Sequence, residues 1–219
     1  MKQDLKLIIF DLDGTLVNAY RAVFQSLNYA LKRSGFPLVD HETIRRSVGW
    51  GDRHLIELFV GPPRAKEVLE VYRRHHKNSL KTGTRFLPGA RQVIVKLKKQ
   101  GYRLAIASKR PTLFTEIILK YLKIRKYFDC VVCGDKVKRH KPAADILEVI
   151  LKKFSFNKNE ALYIGDMTID AQTGKRAGVK TVIVLTGSSD YREVALLKPY
   201  KIIHHLKALS NIIWDINSN

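Results

Sequence analysis

Apolar positions along this chain follow two rhythms. The run Leu5-Lys6-Leu7-Ile8-Ile9-Phe10 is short and nearly continuous, as a strand buried on both faces requires. Over residues 20–31 the apolar positions Val23, Phe24, Leu27, Tyr29, Ala30 and Leu31 change to spacings of three and four, which predicts a helix. Ser34-Gly35-Phe36-Pro37 then supplies a stop, because Gly suits the position after a helix and Pro cannot continue one. Residues 41–48, 53–60 and 65–80 are three further helical candidates, separated by Gly49-Trp50-Gly51 and by Gly61-Pro62-Pro63. Residues 17–84 are therefore expected to form an all-helical insert.

From Phe86-Leu87-Pro88-Gly89 onward the pattern alternates. Helices are expected over 89–99, 111–122, 142–154, 169–177 and 206–213. Strands are expected over 102–107, 128–133, 161–164, 181–185 and, more weakly, 201–203. Short apolar strands alternating with helices predict an α/β fold, a doubly wound, Rossmann-like parallel sheet covered on both faces. Residues 1–16 and 85–219 are expected to make this core domain and 17–84 a cap.

Composition narrows the class. A chain of 219 residues with 45% hydrophobic content can bury a substantial core. The first segment mixes Lys2, Asp4 and Lys6 into a strand-like run, so no secretory signal is expected, and no window approaches the roughly 20 apolar residues of a membrane span. The expected location is the cytoplasm. Cys130 and Cys133 flank two valines in an expected strand and point to opposite faces, which favours two small core residues over a metal or redox pair. The net charge of +20, from 40 Lys and Arg against 20 Asp and Glu, can steer anions into a cleft or attract a polyanion. Its clusters, among them Arg73-Arg74-His75-His76-Lys77, are scattered and not interleaved with aromatics, so they read as solvated faces and nucleic acid is not an expected partner.

The polar residues of interest fall at strand ends, where ligands bind in such sheets. Asp11 and Asp13 follow the first strand, Ser108 and Lys109 follow Leu104-Ala105-Ile106-Ala107, and Asp166 follows Leu162-Tyr163-Ile164-Gly165; Lys141 precedes Pro142 at a helix start. Two carboxylates one residue apart at the end of a buried strand are costly unless a cation sits between them. Singly, each of these residues also fits a turn or a helix cap.

Together, the ordered motifs Asp11-Leu12-Asp13-Gly14-Thr15, Ser108, Lys141-Pro142 and Gly165-Asp166-Met167-Thr168-Ile169-Asp170 resemble those of the haloacid dehalogenase superfamily, in its phosphoglycolate phosphatase-like branch with a helical cap after the first motif. The resemblance implies a phosphatase acting on a small phosphorylated metabolite through an aspartyl-phosphate, with phosphoglycolate the first substrate to try. It implies Asp11 as nucleophile and Asp13 as the acid and base that serves the leaving alcohol and then water. Thr15, Ser108, Lys109 and Lys141 would contact phosphate. The metal would be held by Asp11, the backbone carbonyl of Asp13 and Asp166, with Asp170 a further ligand or an anchor behind them. Mg²⁺ suits this all-oxygen set.

The second carboxylate, Asp13, disfavours carbon–halogen cleavage, because relatives with that activity lack it. Within the insert, Arg45-Arg46-Ser47-Val48-Gly49-Trp50-Gly51-Asp52 resembles a glycine-bearing specificity loop, which implies substrate contacts from Arg45, Arg46, Gly49 and Trp50. A solvated helix face ending in a glycine turn explains the same residues. Asn18-Ala19 departs from the Asp-Ser of many relatives. A sugar-phosphate mutase, a pyrophosphatase and a polyanion-binding protein on the same scaffold remain alternatives, and the chain is expected to be a monomer or homodimer.

Overall fold

The computed structural model of the protein describes residues 4–218; the expected outer bounds of the core domain, at 1 and 219, lie outside the described residues. In chain order the elements are β1 (Leu7–Phe10), β2 (Val17–Asn18), α1 (Tyr20–Arg33), α2 (His41–Ser47), α3 (Asp52–Gly83), β3 (Arg85–Phe86), α4 (Ala90–Lys99), β4 (Arg103–Ser108) and α5 (Thr112–Tyr121). They continue with β5 (Cys130–Cys133), α6 (Asp145–Phe154), β6 (Ala161–Gly165), α7 (Thr168–Ala177), β7 (Lys180–Val184), α8 (Tyr191–Ala195), β8 (Lys201–Ile203) and α9 (Leu209–Ser218).

Six strands form one parallel sheet in the order β5-β4-β1-β6-β7-β8. Alternation along each strand divides the core. Ile8, Phe10, Leu104, Ile106, Leu162 and Ile164 face one layer with residues of α4, α5 and α9. Leu7, Ile9, Ala105, Ala107 and Tyr163 face the other, with Ile146, Leu147 and Ile150 of α6. Burying each large apolar side chain stabilises the fold by roughly 1.5–3 kcal/mol. Phe10 stands level with Ile106 of β4 and with Ile164 of β6. Three adjacent strands therefore end within about one residue of each other, at Asp11, Ser108 and Asp166.

The helices α1 to α3 pack around a separate cluster that includes Leu27, Leu31, Ile44, Ile56, Val68 and Tyr72. Asp40 starts α2 by accepting a hydrogen bond from the backbone N–H of Thr43 at 2.9 Å. The two helices expected at 53–60 and 65–80 are both present within α3 and are separated by a kink at Gly61, whose φ of 71° and ψ of 162° break the helical path just before Pro62 and Pro63.

Three features depart from the sequence reading. Strands β2 and β3 form a two-stranded antiparallel ribbon too short for periodicity to reveal. Helix α8, to which the apolar spacing assigns no element, is one turn long and is started by an Asp190 and Glu193 capping box. Helix α6 starts at Asp145, three residues after the expected Pro142, because residues 140–144 form turns that carry Lys141 to the strand ends. Cys130 and Cys133 are both buried free thiols on β5.

Candidate active site

Between the strand ends and the helical insert lies a cleft of about 880 Å³ whose wall includes Asp11, Asp13, Ser108, Lys109, Lys141, Asp166 and Asp170. Lys141 is its electrostatic centre. Its Nζ donates to Oδ1 of Asp11 at 2.7 Å and to Oδ1 of Asp170 at 2.9 Å, with the lysine side chain only 1% exposed. Burial opposes its charge, but the two carboxylates outweigh burial and hold it protonated beyond the usual lysine range.

Three buried acids, Asp11, Asp166 and Asp170, surround that one cation. Burial pushes Asp11 up to about 7; Lys141 opposes the rise, while the charges of Asp170 and Asp13 add to it. Asp166 is likewise pushed well above the usual carboxylate range, by burial first and then by Asp11 and Asp170. The cluster is short of positive charge.

Asp170 is fully occupied. Its Oδ1 accepts from Lys141 and from the Tyr163 hydroxyl at 2.6 Å, and its Oδ2 accepts from the backbone N–H of Asp166 and of Met167. It anchors Lys141 and the turn that carries Asp166. Thr15, expected at phosphate, is fully buried and donates its hydroxyl to Oδ1 of Asp166 at 2.9 Å; it stands outside the cleft wall and orients that carboxylate. The backbone closes in on the same group: a Cβ on Gly187 would stand 1.7 Å from Oδ2 of Asp166. Ser108 lies at the cleft with its Oγ accepting from the backbone N–H of Arg110 at 3.1 Å. Among the described residues no three acidic, histidine or cysteine side chains converge into a metal cage.

From the insert, Arg45 and Gly49 reach the cleft wall. Arg46 and Trp50 do not. Neighbours on a helix diverge by about 100°, so Arg45 and Arg46 cannot share a direction. Arg46 is 76% exposed, and both arginines pair with Glu42, Arg46 through Nε at 2.9 Å and Arg45 through Nε and Nη2 at 2.9 and 2.8 Å. The Trp50 ring covers Lys109, whose Nζ lies 5.1 Å from the ring centroid. Burial, then the charge of Lys141, lowers the Lys109 ammonium below its usual range.

Two residues that the sequence reading passed over complete the site. Arg110 grips both oxygens of Asp13 and also touches His76 of α3, a residue with no exposed surface. Arg110 is one basic residue among many, with nothing in its spacing to mark it. His76 was read with Arg73 to Lys77 as a solvated face, yet Val68, Tyr72, His76 and Leu80 recur every four residues as a buried stripe. That period was the available signal.

Fold and strand-end acids agree with the wider comparison. Residues 8–184 match the haloacid dehalogenase-like hydrolase family, and the chain belongs to that family. Within it the chain is a phosphatase of the phosphoglycolate phosphatase-like kind. It is 29% identical to a phosphoglycolate phosphatase of Aquifex aeolicus over 91% of this chain and 95% of the relative. It is 30% identical to one of Pseudomonas fluorescens, over 93% and 78% respectively. A crystal structure of a predicted phosphoglycolate phosphatase from Haemophilus somnus superposes with a TM-score of 0.88 at 25% identity, covering 95% of this chain and 97% of that one. Among the described residues no helix is long and apolar enough to cross a membrane.

Proposed function

We propose that the protein is a Mg²⁺-dependent phosphomonoesterase acting on a small phosphorylated metabolite, with 2-phosphoglycolate the first substrate to test. The observation that carries this reading is the charge shortage at the strand ends, where Asp11, Asp166 and Asp170 are buried around the single ammonium of Lys141. Asp11, the backbone carbonyl of Asp13 and Asp166 would hold the cation, an all-oxygen set that suits a hard ion retaining water and substrate oxygen. When bound, Mg²⁺ supplies charge neutralisation between a carboxylate nucleophile and a phosphate dianion.

The chain's own residues do the rest. Asp11 attacks phosphorus, forming the bond from its carboxylate oxygen as the ester oxygen leaves. Lys141 neutralises charge on Asp11 and on the phosphoryl group, and the Ser108 hydroxyl and Lys109 backbone N–H donate to phosphoryl oxygens. Asp13 gives its proton to the leaving oxygen and recovers one from the water that hydrolyses the acyl phosphate. Asp170 holds Lys141, and Thr15 holds Asp166. The insert excludes water, and Arg45 at the cleft wall, now forked onto Glu42, would take a substrate carboxylate by exchanging it for that partner. The phosphoglycolate phosphatase names of the relatives support the choice of substrate.

Phosphate release from 2-phosphoglycolate, sugar phosphates, nucleotides and pyrophosphate, with and without Mg²⁺, tests the proposal. Asp11→Asn is expected to lose at least ~10³-fold in turnover. No phosphate release from any of these compounds, or full activity in Asp11→Asn, would sink it; isomer formation without net release would indicate a mutase.

A further inference from the structure

The proton carrier of this reading, Asp13, is held by a residue that the motifs do not include. Nε of Arg110 donates to Oδ2 of Asp13 at 2.7 Å, and Nη2 donates to Oδ1 at 2.8 Å. Such a two-point fork fixes the plane of a carboxylate as well as its distance. The third nitrogen, Nη1, lies 2.8 Å from Nε2 of His76. A guanidinium only donates, so Nε2 is the acceptor and the imidazole carries its hydrogen on Nδ1. Nδ1 stands 3.0 Å from Oγ of Ser26, whose own hydroxyl donates to the carbonyl of Ala22 at 2.7 Å.

The direction of every hydrogen in this chain is thereby set, from Arg110 through His76 and Ser26 to the backbone of α1. His76 is fixed sideways as well, stacked 4.8 Å from Tyr72 and edge-on 5.1 Å from Phe114 of α5. Ser26 and His76 belong to the helical insert; Arg110 and Asp13 belong to the loops at the strand ends. One guanidinium thus ties the insert to the strand ends.

We propose that Arg110 is a positioning residue that aims Asp13, and that His76 makes this aim depend on the docked insert. The inference rests on the catalytic reading above. In the first half-reaction the Asp11 O–P bond forms, the P–O bond to the leaving group breaks and Asp13 supplies that oxygen with a proton. In the second half, a water O–P bond forms, the Asp11 O–P bond breaks and Asp13 takes the water proton. A misaimed Asp13 slows proton transfer in both halves but leaves the attack of Asp11 intact.

p-Nitrophenyl phosphate separates these steps, because p-nitrophenolate leaves without a proton. In rapid mixing with Mg²⁺, Arg110→Gln is expected to release about one equivalent of p-nitrophenolate at close to the wild-type rate. Its steady-state turnover is expected to fall by about 10²-fold, the usual range for loss of general acid–base help. Arg110→Lys keeps the charge without the fork and should behave similarly. His76→Leu should show the same pattern more weakly, and His76→Gln, with an acceptor where Nε2 lies, should recover most of the turnover.

In the Arg110→Gln, His76→Leu double variant the losses should not add. Loss of the burst along with turnover, or unchanged turnover in the Arg110 variants, overturns the proposal. If the wild type releases no phosphate, or Asp11→Asn still gives a burst, the catalytic reading itself has failed. A wild type that passes both tests beside unaffected Arg110 variants rejects the positioning role alone.

Discussion

Lys141 and Asp170 form an ion pair at 2.9 Å with side chains 1% and 2% exposed, and the same ammonium also serves Asp11. Lys141→Met leaves two buried carboxylates without their cation, which costs about 3–5 kcal/mol. Lys141 is what opposes the burial-driven rise of Asp11, so without it the Asp11 carboxyl stands further above its unfolded value; its protonation supports the fold at low pH and that support is lost as pH rises. Denaturant unfolding at pH 5 and pH 8 should therefore show the larger penalty at pH 8. Equal penalties would contradict the arrangement.

Asp166 gives the metal a signature independent of turnover. Mg²⁺ at about a hundred times its Kd should raise unfolding free energy by roughly 2.7 kcal/mol. Without Mg²⁺, Asp166→Asn should be at least as stable as the wild type, since it removes a buried charge whose desolvation the fold otherwise bears. With Mg²⁺ it should gain little. Calorimetric melts across a Mg²⁺ series compare the two directly.

His76 predicts a pH slope in stability. Burial, and then the neighbouring Arg110, lower its pKa to about 2, against about 6.5 for the unfolded chain. The unfolded state takes up the proton first, so stability is full above pH 6.5 and declines as pH falls toward 2. The limiting slope is ~1.4 kcal/mol per pH unit. Asp11 and Asp166, with raised pKa values, act in the opposite sense, and subtracting the curve of His76→Gln cancels them. The difference between wild type and variant should grow as pH falls from 6.5 to 4.5; a flat difference would refute it.

Gly49 and Gly51 separate strain from contact. Their φ values, 107° and 101°, burden either alanine variant with a comparable backbone penalty of about 1–2 kcal/mol. A Cβ on Gly49 would also stand 2.6 Å from Sδ of Met167, next to Asp166, whereas one on Gly51 meets nothing within 4 Å. Gly49→Ala should lower kcat/KM by roughly tenfold or more, and Gly51→Ala by no more than a few-fold. Steady-state kinetics with one substrate suffice to compare them.

The sheet was legible because β1, β4, β6 and β7 are buried on both faces and so read as unbroken apolar runs. The acids were legible because they follow those runs directly. Less visible was anything decided by helix phase: Arg45 and Arg46 look equivalent in sequence, but only Arg45 reaches the cleft. His76 sits among charged neighbours that mask its buried period. Thr15 illustrates a further gap, since a hydroxyl beside a phosphate site and one beside a carboxylate have the same local sequence. The two-residue strands β2 and β3 pair across a long separation, which no local pattern records.

That ribbon bears on how such a molecule is built. Val17 pairs with Phe86 and Asn18 with Arg85, and the N–H of Leu87 donates to the carbonyl of Leu16. The chain thus departs from the sheet and returns to it through two hydrogen-bonded neighbours, and everything from 19 to 84 hangs from a hairpin stem. To the parallel sheet, the whole helical insert is equivalent to a tight turn. A different insert grafted onto the same stem would leave the strand ends that carry Asp11, Ser108 and Asp166 in place, but it would have to offer Arg110 the acceptor that His76 now supplies.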